Sequence, residues 1–129
     1  MPDPSTYADS DALPWRPTPY DGVTWKKLRH DPGSGASAVL LRFEPGARYG
    51  RHRHPAGEEY LVLDGALEDG GRRWGAGAYF HHAPGSVHAP SSREGCVVYV
   101  TLAAPIEDLE RAGPAPPAPG AGAPGVGAG

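Results

Sequence analysis

The stretch GARYGRHRHPAGEEYLVLDG, residues 46–65, carries the pattern that settles the fold class. On a β-strand, residues i and i+2 point the same way. His52 and His54 therefore present two imidazoles on one face, about 6.7 Å apart at Cα, while Arg51 and Arg53 take the other face. Pro55-Ala56-Gly57 makes a tight corner. Glu58 opens the next strand and can face back toward the two histidines. Two nitrogens and one carboxylate oxygen form the three-point set that divalent metals use at reactive sites. The apolar run 59–63 reads as a strand, and Asp64-Gly65 reads as a hairpin signal closing it.

Outward from this stretch the same short rhythm continues. Strands are expected at 25–29, 37–43, 51–54 and 59–63, from 66 to 68, up to Trp74, and at 78–82 and 96–102. Turns separate them at Asp31-Pro32-Gly33-Ser34-Gly35, Glu44-Pro45-Gly46-Ala47, Asp69-Gly70-Gly71, Gly75-Ala76-Gly77 and Ala83-Pro84-Gly85. Seven or eight short strands with turn signals about every 8–12 residues are the pattern of an all-β sandwich or barrel. Residues 13–20, with Trp15, read as an extended arm across the barrel, and 106–111 as one helical turn. Nothing supports a doubly wound or bundle fold.

The chain has 129 residues, enough for one domain. That domain is expected over 13–111, with a flexible N-terminus at 1–12. Residues 112–129 are almost entirely Gly, Ala and Pro, with Val126 the one β-branched side chain. Such a segment cannot bury enough apolar surface to offset the entropy of ordering it, so a disordered tail is expected. A net charge of −3 gives no basic excess for a nucleic-acid partner. No apolar run approaches the roughly 18 residues that span a bilayer. The acidic N-terminus lacks the basic and apolar regions of a secretory signal. Cys96 is the single cysteine, which precludes an internal disulfide and fits a reducing, cytoplasmic location.

Six histidines occur, and all but His30 fall between His52 and His88. A fourth ligand should come from a neighbouring strand, and His88, at the exit of the Pro84-Gly85 corner, is the best placed. His81 and His82 are adjacent, so only one can face inward, as an acid/base group or as an orienting partner for a ligand. Alternation puts Tyr60 and Val62 on the inward face with Glu58. Tyr60 is then a pocket wall or proton donor, weighed against a packed core tyrosine. Glu59 should point outward. Phe43, Phe80 and Tyr99 read as core, and Cys96 as a buried small hydrophobe. Arg42 and Arg48 are candidates for an anionic substrate, against the commoner solvated arginine. Isolated histidines would read as surface residues, but this constellation favours a metal.

These residues resemble the cupin superfamily. Its first motif is Gly, five residues, His-x-His, three or four residues, Glu, six residues, Gly, and Gly46, His52, His54, Glu58 and Gly65 meet every fixed position. Its second motif is Gly, five residues, Pro-x-Gly, two residues, His, three residues, Asn. Gly77, Gly85 and His88 keep that spacing, Pro84 is displaced by one residue, and Ser92 stands in place of Asn. Within the superfamily the chain is similar to the ChrR-like group, through the phrases at 43–47, 58–65, 84–86 and 94–96. The resemblance implies a double-stranded β-helix, or jelly-roll barrel, with flexible termini. It implies one divalent metal ion held by His52, His54, Glu58 and His88: Fe(II) in function, with Zn, Ni or Mn as ions found after purification. It implies a non-haem Fe(II) dioxygenase acting on a small carbonyl compound. The alternatives are a redox-neutral metal-dependent isomerase, cyclase or lyase in a biosynthetic pathway, and a zinc-bearing sensor or regulatory module. Cupins often dimerise, and a homodimer is expected, with the arm adding to a neighbour's sheet edge.

Overall fold

The structure, a computed structural model, describes residues 5–110. The tail expected at 112–129 and the first four residues lie outside them. In chain order the strands are β1 (Arg16–Pro17), β2 (Val23–His30), β3 (Ser37–Phe43), β4 (Ala47–Arg48), β5 (His52–His54), β6 (Glu58–Asp69), β7 (Arg72–Gly75), β8 (Tyr79–His82), β9 (Ser86–His88), β10 (Ser91–Ser92), β11 (Cys96–Leu102) and β12 (Glu107–Asp108). The helical content of the described residues is one 3-10 turn, Ser10–Ala12. None of it is long and apolar enough to cross a membrane.

The main wall is an antiparallel sheet in the order β1-β2-β3-β11-β6, with β8 on β6 as well. The far half of β6 pairs instead with β7 and β10, and β10 carries β4. A second sheet, β12-β5-β9, holds the histidine strands. This is the curled all-β barrel expected from the sequence.

The chain folds this way because apolar residues alternate along the wall strands. Cys96, Val98 and Val100 of β11 point inward with Tyr60 and Val62 of β6, Val39 and Phe43 of β3, Val23 and Leu67. Burying each Val, Leu or Phe contributes about 1.5–3 kcal/mol. The 96–102 run exposes Tyr99 instead, at 37 %. The core role expected for Tyr99 is therefore corrected: it sits between Val98 and Val100, and alternation turns it outward.

Three further expectations are corrected. Asp64-Gly65 does not end a strand, and 66–68 does not begin another. One 12-residue strand runs through, and its register against β11 shifts at this point, pairing Val97 with Asp64 but Val98 with Val62. Gly65 has φ +72°, and a Cβ there would meet the Gly95 carbonyl oxygen at 2.0 Å. The position is a bulge at which β6 bends from one set of partners to the other, and only glycine fits it. Nor do residues 106–110 form a helical turn: Glu107–Asp108 pair with β5. The opening strand also starts earlier, at Val23.

The arm lies on the outer face of β2 and β3. Trp15 faces the Lys26 ammonium at 4.8 Å and the Arg42 guanidinium at 4.9 Å. Lys26 Nζ also donates to the Ser10 carbonyl at 2.6 Å. Arg16 and Pro17 pair with Trp25 and Thr24 of the same chain.

Candidate metal centre

Strands β5 and β9 run antiparallel with His52 opposite His88. The corner after His54 returns the chain so that Glu58, first residue of β6, faces the same space. The His54 carbonyl accepts from Gly57 N at 3.1 Å and Gly85 N at 2.7 Å. Both glycines have positive φ, so this one carbonyl ties the two turns that deliver the four side chains. One ligand atom from each of His52, His54, Glu58 and His88 lies within 4.8 Å of all the others. Their relative exposures are 3 %, 0 % and 9 % for His52, His54 and Glu58, and the His88 side chain is equally buried.

Hydrogen bonds on the outer nitrogens fix which atoms face the centre. His52 Nδ1 lies 2.7 Å from the Gly50 carbonyl, which can only accept. Nδ1 therefore carries the proton, and Nε2 is a bare lone pair. His88 Nδ1 donates in the same way to Asp69 Oδ2 at 2.8 Å, which in the neutral ring leaves its Nε2 bare too. These two Nε2 atoms stand 3.0 Å apart. His54 Nδ1 meets Ser86 Oγ at 3.1 Å. Its Nε2 is 3.2 Å from Glu58 Oε1, yet both atoms are buried without a hydrogen bond of acceptable geometry. Two facing lone pairs, an orphaned imidazole nitrogen and a buried carboxylate oxygen form an unfavourable set on their own. A cation among them resolves all of these conflicts at once. The donor set thus fits a divalent ion, with three imidazole nitrogens and one carboxylate giving the occupied centre a net charge near +1. Burial also holds His52 down to a pKa of about 4, so its ring is neutral, the form that binds metal.

Of the adjacent pair, His82 faces inward and His81 outward. The His82 ring lies against that of His88, tilted by 51° with centroids 4.5 Å apart, and its Nε2 is 3.4 Å from Asp69 Oδ2. His81 lies opposite Glu59, on an outer trough of about 440 Å3 that also touches Tyr99 and Thr101. It is placed outside the cluster. Tyr60 is 3 % exposed, stacks on Phe80 at 4.4 Å, and donates its hydroxyl to Asp69 Oδ2 at 2.6 Å. Burial, reinforced by that carboxylate, pushes the phenol well above its ordinary range. Its proton points at Asp69, so Tyr60 is a wall of the cavity and its proton is already committed.

Asp69 is the residue the sequence reading missed. Burial by itself would raise its carboxyl, but His82, His88 and Tyr60 together hold it far below the usual range. In the sequence it stands beside Gly70-Gly71 and looks like an ordinary turn residue.

Beside the cluster lies a cavity of about 340 Å3 whose polar end is His52, Glu58 and His88. Its wall includes Val39, Leu41, Phe43, Leu67, Val98 and Val100, and exposed Lys27, His30 and Asp108 are also among its lining. Arg42 and Arg48 are not among its lining residues. Arg42 lies 3.4 Å from Glu44 and Arg48 bonds Glu110 at 2.8 Å. Cys96 is buried, and that burial pushes its thiol up to about 11.

A barrel closed around a buried His3Glu set, with an apolar cavity beside it, is the architecture of a cupin. The chain belongs to the ChrR cupin-like domain family, whose model matches residues 3–105. Among solved structures it is similar to a protein from Methylibium petroleiphilum PM1 provisionally assigned as an acetylacetone dioxygenase, with a TM-score of 0.77 at 19 % identity over 85 % of this chain and 84 % of that one. It is similar to an acetylacetone dioxygenase from Acinetobacter johnsonii, with a TM-score of 0.72 at 18 % identity over 85 % and 80 %. It is also similar to the Rhodobacter sphaeroides complex of SigE with the anti-sigma ChrR, with a TM-score of 0.61 at 29 % identity over 71 % of this chain and 49 % of that one. Comparison with curated proteins gives no match.

Proposed function

We propose that this protein binds one divalent metal ion through His52, His54, Glu58 and His88 and is a non-haem Fe(II) dioxygenase acting on a small carbonyl compound. The observation that carries this reading is the placement of the four donors at the polar end of an apolar-walled cavity. A ligand can therefore reach the centre from inside the barrel. At about 340 Å3 the cavity is at the small end of the usual range for ligand sites, about 300–1,000 Å3. A bound divalent ion supplies Lewis acidity and, as iron, redox chemistry with dioxygen.

The protein's own residues supply the rest. Gly50, Ser86 and Asp69 hold the three imidazoles so that Nε2 faces inward. The Val, Leu and Phe walls exclude water and favour a ligand with an apolar body and an oxygen-bearing end. Tyr60 closes one side without offering a proton. The fold likeness to an acetylacetone dioxygenase and to a second protein provisionally assigned as one supports the choice of a carbonyl substrate.

The test is anaerobic loading with Fe(II), followed by oxygen-electrode assays with β-diketones and hydroxyaryl ketones. Substrate-dependent oxygen uptake supports the reading. Turnover of a substrate under nitrogen, without oxygen uptake, would replace it with redox-neutral metal chemistry.

A further inference from the structure

The three histidines of the cluster are not held alike. The outer nitrogen of His52 meets a backbone carbonyl and that of His54 meets a hydroxyl. That of His88 alone among the three meets a carboxylate, Asp69, at 2.8 Å. The same Asp69 oxygen accepts the Tyr60 hydroxyl at 2.6 Å and lies 3.4 Å from His82 Nε2. The Asp69 side chain is 7 % exposed, so water competes little for it.

We propose that Asp69 is a positioning residue for the metal centre: it fixes His88 in the Nδ1–H form, turns its Nε2 lone pair toward the ion, and makes it the strongest of the three nitrogen donors. This rests on the reading of His52, His54, Glu58 and His88 as the ligand set. His88 ends a short strand, and its backbone and the surrounding rings place the imidazole but do not choose its tautomer. A neutral imidazole without the carboxylate can move its proton to Nε2, where it would block coordination. A carboxylate behind a ligating imidazole both fixes the tautomer and raises ligand basicity. The Tyr60 hydroxyl in turn holds the carboxylate in place.

Asp69, His82 and His88 also place their ligand atoms close together, so a second ion is the competing arrangement. It is disfavoured because Nδ1 of His88 would have to lose its proton while Nε2 ligates the first ion. The short Tyr60 contact already occupies the Asp69 oxygen as an acceptor.

The experiment uses the full chain, wild type and Asp69→Asn, titrated with Zn(II) against a chromophoric chelator and loaded with Co(II) for visible spectroscopy. Asn keeps the shape and removes the charge. Asp69→Asn is expected to weaken Zn(II) binding by about 10–100-fold and to shift the Co(II) d–d bands, with an unchanged far-ultraviolet circular dichroism spectrum. If the variant does not fold, 15N-histidine NMR of the Zn(II)-loaded wild type answers the same question. His88 should show a slowly exchanging, downfield Nδ1–H and a metal-shifted Nε2. Binding within about twofold of wild type with identical Co(II) bands, a His88 protonated on Nε2, or two ions per chain would overturn the assignment of Asp69. Failure of the wild type itself to bind either ion would overturn the ligand set as well, so the two failures are distinguishable.

Discussion

Glu58 and Asp69 stand at opposite ends of one 12-residue strand, yet both carboxylates reach the same imidazole. Glu58 Oε1 is 3.6 Å from Nε2 of His88, and Asp69 Oδ2 is 2.8 Å from its Nδ1. An extended strand of that length spans about 40 Å. The bend at Gly65 is what returns its far end to the site.

Gly65→Ala should therefore be more costly than an ordinary glycine change. Gly70 also has positive φ but has nothing within 4 Å of its would-be Cβ, so Gly70→Ala should cost about 1–2 kcal/mol of backbone strain alone. Gly65→Ala adds the collision with Gly95 and is expected to lose about 3 kcal/mol or more. Paired thermal or urea unfolding of the two variants checks this, and equal losses would contradict the bulge.

His54→Ala should lower bound metal sharply. It should also remove the rise in melting temperature that added Zn(II) gives the wild type, because the ligands come from separate strands and binding is linked to folding. His81→Ala should leave metal content unchanged, since His81 is exposed on the outer face. Elemental analysis with calorimetry on both variants measures the contrast.

Glu110 pins the chain after β12. Its carboxylate accepts from the Arg51 amide at 2.6 Å and from Arg48 Nη2 at 2.8 Å. Those partners, the Arg51 amide first, hold its pKa below the ordinary 4.5. Because the folded value is depressed, the unfolded chain binds more protons in that window. The stabilisation is present above pH 4.5 and is lost as the pH falls through the lower folded value. Glu110 is partly exposed, so Glu110→Gln should cost less than about 1 kcal/mol near pH 7. That difference from wild type should shrink toward zero in acid, which a pH series of urea melts will show.

Val100→Phe should separate the cavity from the ion. Val100 is 5 % exposed and lines the cavity, but it is not among the donor residues. The larger ring should cost about 1–3 kcal/mol through overpacking, leave one ion per chain, and lower substrate-dependent oxygen uptake at least tenfold. Unchanged turnover would place the substrate elsewhere.

Much of this arrangement is legible in the sequence, for physical reasons. A strand has a period of two, so His52 and His54 must share a face, and a three-residue corner can bring Glu58 back to them, with Glu59 the alternative had the corner run one residue longer. The same period leaves one of His81 and His82 inward, though it does not say which. The sequence could not show how β6 bends. Asp64-Gly65 has the composition of a hairpin turn, and only the opposing Gly95 carbonyl reveals a bulge. Asp69 was hidden for the same reason, because its role depends on that bend. Tyr99 shows the opposite failure, since an apolar run suggested core where alternation turned one ring outward.

The central claim is a single ion bound by three imidazoles and one carboxylate. X-ray absorption at the metal edge of protein loaded anaerobically with Fe(II), with elemental analysis of the same sample, tests it most directly. The account predicts one ion per chain in a light N/O shell, with the multiple-scattering signature of three imidazoles and no sulfur. An ion-free protein after exposure to iron, zinc, manganese and nickel in turn, or a bound ion with at most one imidazole, would contradict it.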